Sequence, residues 1–347
     1  MPTAPLRVAV LGFWHVHAGD YAQQAVDHPD TELVAVWDDD DARGREGAER
    51  FGVPYTGDLD ALLARDDVDA VTITTSTDVH HDVIARAARA GKHVFTEKLL
   101  APTVEECEAI VRACDEAGVA LVVSLPRLYH GYTRAISDEI ASGRLGELTY
   151  ARVRLSHDGA IAPWLPERFF DPASAIGGAL TDLGCHPVYL TQLFLGAAPD
   201  SVHAVYRSLT GRAVEDHAVV TVGYPSQAIG VIEAGFVAGT PFTIDLFGTT
   251  GRVSYTDDGN HLTAGGPGYG GETVELPVPD DAPDAFAQWV THVHDGTRAD
   301  DNVARAIELT RLVVAANAAA AGEPAANTPA ADAPATTAAD SASPVPA

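Results

Sequence analysis

Three short stretches of this 347-residue chain carry side chains whose types and spacing suit chemistry. In AIGGALTDLGCHPVYLTQLF, residues 175–194, Asp182 and His186 stand four positions apart, a spacing that puts two side chains on one helical face. An Asp that orients an imidazole and supports its charged form is what a general base needs. The plainer alternative is a hydrogen bond on a helix surface with no chemistry. Pro187 is tolerated only in a first helical turn, so the pair belongs near that helix's start. In TTSTDVHHDVIARAARAGKHVFTEKLL, residues 74–100, one strand-like run ends in small hydroxyl residues and the next ends in Glu97-Lys98. Ligands of open α/β sheets bind outside the carboxyl ends of the strands, which puts Lys98 beside such a ligand. Otherwise Glu97 and Lys98 only cap a strand at the surface.

The third stretch is LGFWHVHAGDY, residues 11–21. Gly12 supplies a permissive backbone for a tight turn from strand to helix, and the helix N-terminus offers amide donors to a pyrophosphate. Trp14 and His17 stand where the dinucleotide fingerprint wants its second and third glycines, so the phosphates must sit further out or the loop must bend differently. His15 and His17 are read as lining the pyrophosphate and nicotinamide side. The rival reading makes them metal ligands at a strand end, as in a barrel hydrolase, with His80, His81 and His186 as further candidates. The order of elements fits a barrel poorly, and no metal is expected.

The elements that must position these residues follow from periodicity. The runs RVAVLG, ELVAVWD, DAVTITT, KHVFTE and ALVVSL alternate with Ala- and Glu-rich segments of helical spacing that close on Gly. Short unalternating strands separated by helices indicate a doubly wound parallel sheet covered on both faces. Asp38 ends the second run, where an acidic side chain can reach a ribose 2'-hydroxyl. After Leu125 the texture changes. Segments 147–157, 201–209, 214–223, 227–237 and 241–248 are rich in Val, Thr, Tyr and Phe and are punctuated by Gly, Pro and Asp. HAVVTVGY and AIGVIEAGF flank Pro225-Ser226 as a hairpin, and a helix around 285–320 closes the second domain. The fold class is therefore α/β, with residues 1–124 forming the nucleotide-binding domain and 125–322 an α/β domain with a large, mostly antiparallel sheet. Residues 323–347, a Pro/Ala/Thr tract, are expected to be disordered.

Composition excludes several partners. Acidic residues number 49 against 22 Lys plus Arg, and a net charge of -27 disfavours nucleic acid or an anionic membrane. No run approaches the roughly 18 consecutive apolar residues of a membrane span. Three cysteines and no signal-peptide layout point to free thiols and a cytoplasmic protein. An exposed sheet face would want covering, so a homo-oligomer, dimer or tetramer, is expected.

Together AGKHVFTEK and GGALTDLGCH resemble the Gfo/Idh/MocA oxidoreductases, NAD(P)-dependent enzymes acting on sugars, polyols and related compounds. The resemblance covers about residues 5–320 and implies a Rossmann domain followed by an α/β domain. It carries the family's catalytic Lys, Asp and His onto Lys98, Asp182 and His186. The implied reaction is oxidation of a ring secondary alcohol, with His186 as base, Lys98 stabilising negative charge on the oxygen, and Asp182 orienting His186 or holding a neighbouring hydroxyl. The cofactor contacts expected are Gly12, Phe13, Trp14, His15, His17, Asp38, Thr75, Ser76, His80, Glu97 and Lys98. NAD is expected ahead of NADP because Asp38 repels a 2'-phosphate, with Arg43 close enough to soften that preference. Substrate contacts are assigned to Arg127, Tyr129, His157, Trp164 and Arg168. Leu99 replaces the family's proline after the lysine, which makes a cis bond there costly. Ser76 stands at another frequent proline, and Tyr189 where many members carry an Asp. A redox-neutral glycosidase that oxidises C3 transiently, an HxH metal-dependent hydrolase and a non-catalytic binding protein are the competing readings.

Overall fold

The computed structural model describes residues 4–162 and 164–322, so the expected disorder of 323–347 lies outside the described residues. Five parallel strands form the first sheet: β1 (Leu6–Leu11), β2 (Thr31–Trp37), β3 (Ala70–Ile73), β4 (His93–Thr96) and β5 (Leu121–Val123). Their order is β2-β1-β3-β4-β5, with the topological switch between β1 and β3. All four residues of β3 are buried, as a strand covered on both faces requires. The helices between them are α1 (Ala18–Asp27), α2 (Asp41–Phe51), α3 (Leu59–Leu63), α4 (His80–Arg89) and α5 (Val104–Ala117). Local chemistry sets their ends. Asp40 caps α2 by accepting from the Arg43 amide, and Gly52 closes it in the left-handed region. Thr103 and Glu106 form a capping box on α5, and Gly118 ends that helix in the same way as Gly52.

The second sheet has eight strands in the order β13-β12-β11-β10-β6-β9-β8-β7. Five of them answer the expected segments: β6 (Leu148–Ser156), β7 (Ser201–Arg207), β8 (His217–Gly223), β9 (Ile229–Gly235) and β10 (Thr240–Gly248). The Pro225-Ser226 hairpin is present, pairing Gly223 with Ile229. Three further strands, β11 (Arg252–Thr256), β12 (His261–Gly265) and β13 (Thr273–Leu276), extend the sheet beyond what the sequence suggested. All pairs are antiparallel except β6 with β9. Helix α6 (Gly131–Ala141) precedes this sheet. A short helix α7 (Ala179–Asp182) and then α8 (Cys185–Leu195) follow β6, and α8 packs on β6 and β9. The opposite face is open, with Val205 and Phe247 exposed on it.

The helix expected over 285–320 is two helices, α9 (Ala285–Asp295) and α10 (Asp300–Ala320), because Gly296 adopts a left-handed conformation that ends the first. Both return to the first sheet. Trp289 of α9 is fully buried, with ring centroids 5.7 Å from Phe95 of β4 and 5.3 Å from Phe286. Asn302 of α10 pairs with edge strand β5, its Oδ1 accepting from the Val123 amide at 2.8 Å and its Nδ2 donating to the Val123 carbonyl at 2.9 Å. One side chain thus replaces the two hydrogen bonds of a further strand. No helix among the described residues is long and apolar enough to cross a membrane. Asn302→Ala strands both buried Val123 groups, so it should lower the unfolding free energy by about 1–3 kcal/mol per group. Urea titration of the variant checks this, and an unchanged midpoint would contradict it.

Candidate active site

The segments that follow β1, β4 and β5 meet α7 and α8 of the second region. Lys98 follows β4, is almost fully buried, and donates to both the Asp182 carbonyl at 2.7 Å and Asp182 Oδ1 at 2.8 Å. His15, from the turn after β1, places Nε2 at 3.2 Å from the same Oδ1. Its Nδ1 accepts the His17 amide at 3.3 Å, so Nε2 carries the proton and donates to Asp182. Burial pushes the Asp182 carboxyl up, but Lys98 and His15 outweigh it and hold its pKa well below the usual range. Burial likewise opposes the Lys98 charge, and Asp182 with Glu97 reverses that and raises its pKa. Both partners therefore stay ionised.

Glu97 is buried beside Lys98. Its Oε2 accepts from the Tyr21 phenol, whose oxygen is 2.7 Å from Ser124 Oγ at the end of β5. Its Oε1 lies 3.6 Å from His17 Nδ1 and 3.7 Å from Lys98 Nζ, both beyond hydrogen-bond length. Against burial, the surrounding positive groups hold this carboxylate ionised, while Glu97 in turn raises the pKa of His17.

The expected pairing of Asp182 with His186 requires correction. Asp182 ends α7 and His186 lies in the first turn of α8, so the two are not on one continuous helix. Asp182 serves Lys98 and His15, and the partner of His186 is Tyr189, whose hydroxyl sits 2.8 Å from Nδ1. The Arg127 amide donates to that hydroxyl at 3.0 Å. Burial, then the charges of Lys98 and Arg127, push the His186 pKa well below its ordinary value, so the imidazole is neutral. Pro187 does sit in that first turn, as its chemistry demands. Contrary to expectation, the Lys98–Leu99 peptide is cis.

The turn after β1 bends in its own way. Gly12 has φ +92°, and a Cβ there would lie 2.8 Å from the Thr75 amide nitrogen. Phe13 donates its amide to Asp38 at 2.6 Å. Trp14 leaves the crevice altogether, stacking on Phe169 at 4.7 Å in an apolar cluster with Leu165 and Phe236. Arg168 secures it by donating to the Trp14 carbonyl at 2.6 Å. A cleft of about 270 Å³ lies against this turn, lined by Phe13, His15, Gly19, Arg43, Arg50 and Arg168 among others. The Arg50 guanidinium beside a strand-to-helix turn suits a pyrophosphate, with Arg43 held by Asp38 and Asp39 and Arg168 held by the Trp14 carbonyl on its flanks. The residues present thus fit the phosphate portion of a dinucleotide.

Other expected residues fall in varied places. The Asp38 carboxylate has no exposed surface and is saturated by Phe13, the Asp40 amide and Arg43, whose guanidinium also reaches Asp39 at 2.6 Å. Ser76 is buried in the turn after β3, and His80 is tied to the Leu99 and Thr75 carbonyls at 2.8 and 3.3 Å, supporting the backbone beside Lys98. His157 stacks on Phe236 at 4.8 Å and touches the Trp164 ring at 4.6 Å, while Trp164 stays half exposed. Arg127 lies over the Phe242 ring at 4.1 Å. Tyr129 instead lines a separate cavity of about 730 Å³ with Arg134, Gln288, Arg298 and Arg305, which includes none of Lys98, Asp182 or His186. The metal set imagined from the sequence also needs revising. Among the described residues His15 and His17 group with Glu97, and not with His80, His81 or His186. Tyr21, Ser124 and Arg50 were missed, and Tyr189 was named only as a departure from the family, though the strand-end rule applied to β5 would have found Ser124.

Comparison with known proteins agrees with this fold. Residues 6–125 match the model of an oxidoreductase family with an NAD-binding Rossmann fold, and residues 133–254 match the GFO/IDH/MocA C-terminal domain. The chain is 30% identical to a dTDP-3,4-didehydro-2,6-dideoxy-alpha-D-glucose 3-reductase of Streptomyces antibioticus, over 73% of this chain and 76% of that one. It is 33% identical to D-xylose 1-dehydrogenase (NADP(+)) 2 of Haloferax volcanii, over 62% of this chain and 64% of that one. The solved structure of GenD2 from gentamicin A biosynthesis, in complex with NAD, superposes with a TM-score of 0.78 at 26% identity, covering 92% of this chain and 95% of that one. The chain belongs to the GFO/IDH/MocA oxidoreductase family.

Proposed function

We propose that this oxidoreductase interconverts a ring secondary alcohol of a sugar, polyol or glycoside with its ketone, using Lys98 and His186 on the reacting oxygen. The observation that carries the reading is the buried Lys98–Asp182 pair at the strand ends beside a neutral His186. Two of the three ammonium protons of Lys98 are committed to Asp182, which leaves one N–H for a substrate oxygen. That donor stabilises the negative charge that develops as the hydroxyl proton leaves. His186 can take this proton in the tautomer whose Nδ1–H donates to Tyr189, because Nε2 is then a bare acceptor. Nicotinamide, when bound, supplies or accepts the hydride. Trp164, half exposed beside His157, offers an apolar platform for a sugar face. The relatives named above act on sugars, which supports the substrate class.

Incubation with NAD+ or NADP+ and a panel of sugars and polyols should produce reduced nucleotide. Lys98→Met and His186→Asn should each lower kcat by about 10²–10⁴-fold while the nucleotide still raises the melting temperature. Sugar release without reduced nucleotide would favour the redox-neutral glycosidase, and full activity in both variants would remove Lys98 and His186 from the reaction.

For the cofactor we propose a preference for NAD. Arg43 is held by the buried Asp38 and by Asp39, so a 2'-phosphate would meet the half-exposed Asp39 carboxylate before it met a free guanidinium. Asp39 is half exposed, and Asp39→Asn removes one of these charges without touching the loop. The variant should raise kcat/KM for NADP+ relative to NAD+ by about two- to fivefold, the worth of an exposed charge contact. An unchanged ratio would contradict the assignment.

A further inference from the structure

We propose that His15, His17 and Glu97 form a binding site for one divalent transition-metal ion of zinc-like preference. One ring nitrogen of each histidine and one Glu97 oxygen lie within 4.8 Å of one another. Metal–ligand bonds of about 2.0–2.2 Å place tetrahedral donors about 3.4 Å apart, so side-chain rotation must draw the three atoms closer to close the set. Two imidazoles and a carboxylate make the donor set that zinc and its neighbours take, with positions left over for water or a hydroxyl.

The partners of the outward-facing atoms support the assignment. The Nε2–H of His15 donates to Asp182, the carboxylate–histidine arrangement that fixes a ligating ring, and Nδ1 would exchange its 3.3 Å hydrogen bond from the His17 amide for the metal. Oε2 of Glu97 is held by Tyr21 in the same sense. What remains is Oε1, an oxygen of a carboxylate that is only 2% exposed, with no hydrogen-bond partner among the described residues. Its neighbours are His17 Nδ1 at 3.6 Å and Lys98 at 3.7 Å, and Lys98 is already taken by Asp182 at 2.8 Å. Oε1 makes only these longer ion-pair contacts, and a cation between it and the two imidazoles would replace them with direct bonds. His17 is about two-fifths exposed, which gives an ion an entry path. The competing occupant is a proton on His17, forming a plain ion pair with Glu97.

The test uses the full chain, stripped with a chelator and titrated first with Co²⁺ alone and then with Zn²⁺. The expected result is one equivalent of Co²⁺ with visible absorption bands, displaced by Zn²⁺. His17→Gln, at a half-exposed position, should weaken binding at least about 100-fold and abolish the bands, and Glu97→Gln should do the same if it folds. Melting temperatures with and without nucleotide show that each variant is folded, so the readout does not depend on catalysis. Failure to bind one saturating equivalent, or equal binding by His17→Gln, would overturn the proposal and leave a His17–Glu97 ion pair or surface histidines as the explanation.

Discussion

The contact on which the rest of the structure depends is the one between Lys98 and Asp182. It joins the end of β4 in the parallel sheet to the end of α7 in the second region. An ammonium this deeply buried loses most of its hydration, and the loss is tolerable only if a carboxylate is held at close range with its own remaining lone pairs satisfied. His15 and the Asp182 carbonyl complete that arrangement. Stranding one partner of such a pair costs about 3–5 kcal/mol in general, so the two regions are held in register by the same atoms proposed to handle the substrate oxygen. Positioning and stability are one interaction here.

The turn after β1 keeps a tight strand-to-helix geometry without the glycine sequence usually associated with it. Gly12 retains the positive φ and the close approach to Thr75. The indole that occupies the second glycine position finds an apolar site on Phe169, outside the crevice. Arg168 then fastens the turn to the second region. His17 takes the third glycine position, and with His15 it ties the turn into the same charge network as Lys98 through Glu97 and Asp182.

Much of the fold was legible because burial on both faces leaves its mark on short strands. RVAVLG, DAVTITT and KHVFTE became β1, β3 and β4, and the Pro225-Ser226 turn fell between β8 and β9. The strands β11 to β13 were not read, being only four or five residues long and carrying His, Thr, Ser and Glu on a half-exposed surface. At the site, the roster of polar residues was better read than their pairing. Helical spacing joined Asp182 to His186, but the chain breaks between α7 and α8, and long-range partners from β1 and β4 claim the Asp. Tyr189 was marked only as a departure from the family's Asp, and its hydrogen bond to His186 shows only once the helix register is known. Tyr129 went astray for a similar reason: Asn302, far along the chain in α10, draws it away from Lys98 at 3.3 Å.

The most direct measurement is a crystal structure of the chain grown with NAD and without substrate. The account predicts the pyrophosphate on the His15–Ala18 turn beside Arg50, with the nicotinamide ring beside Lys98 and His186. Nucleotide bound with its ring away from Lys98, or seated in the cavity beside Tyr129, would contradict it.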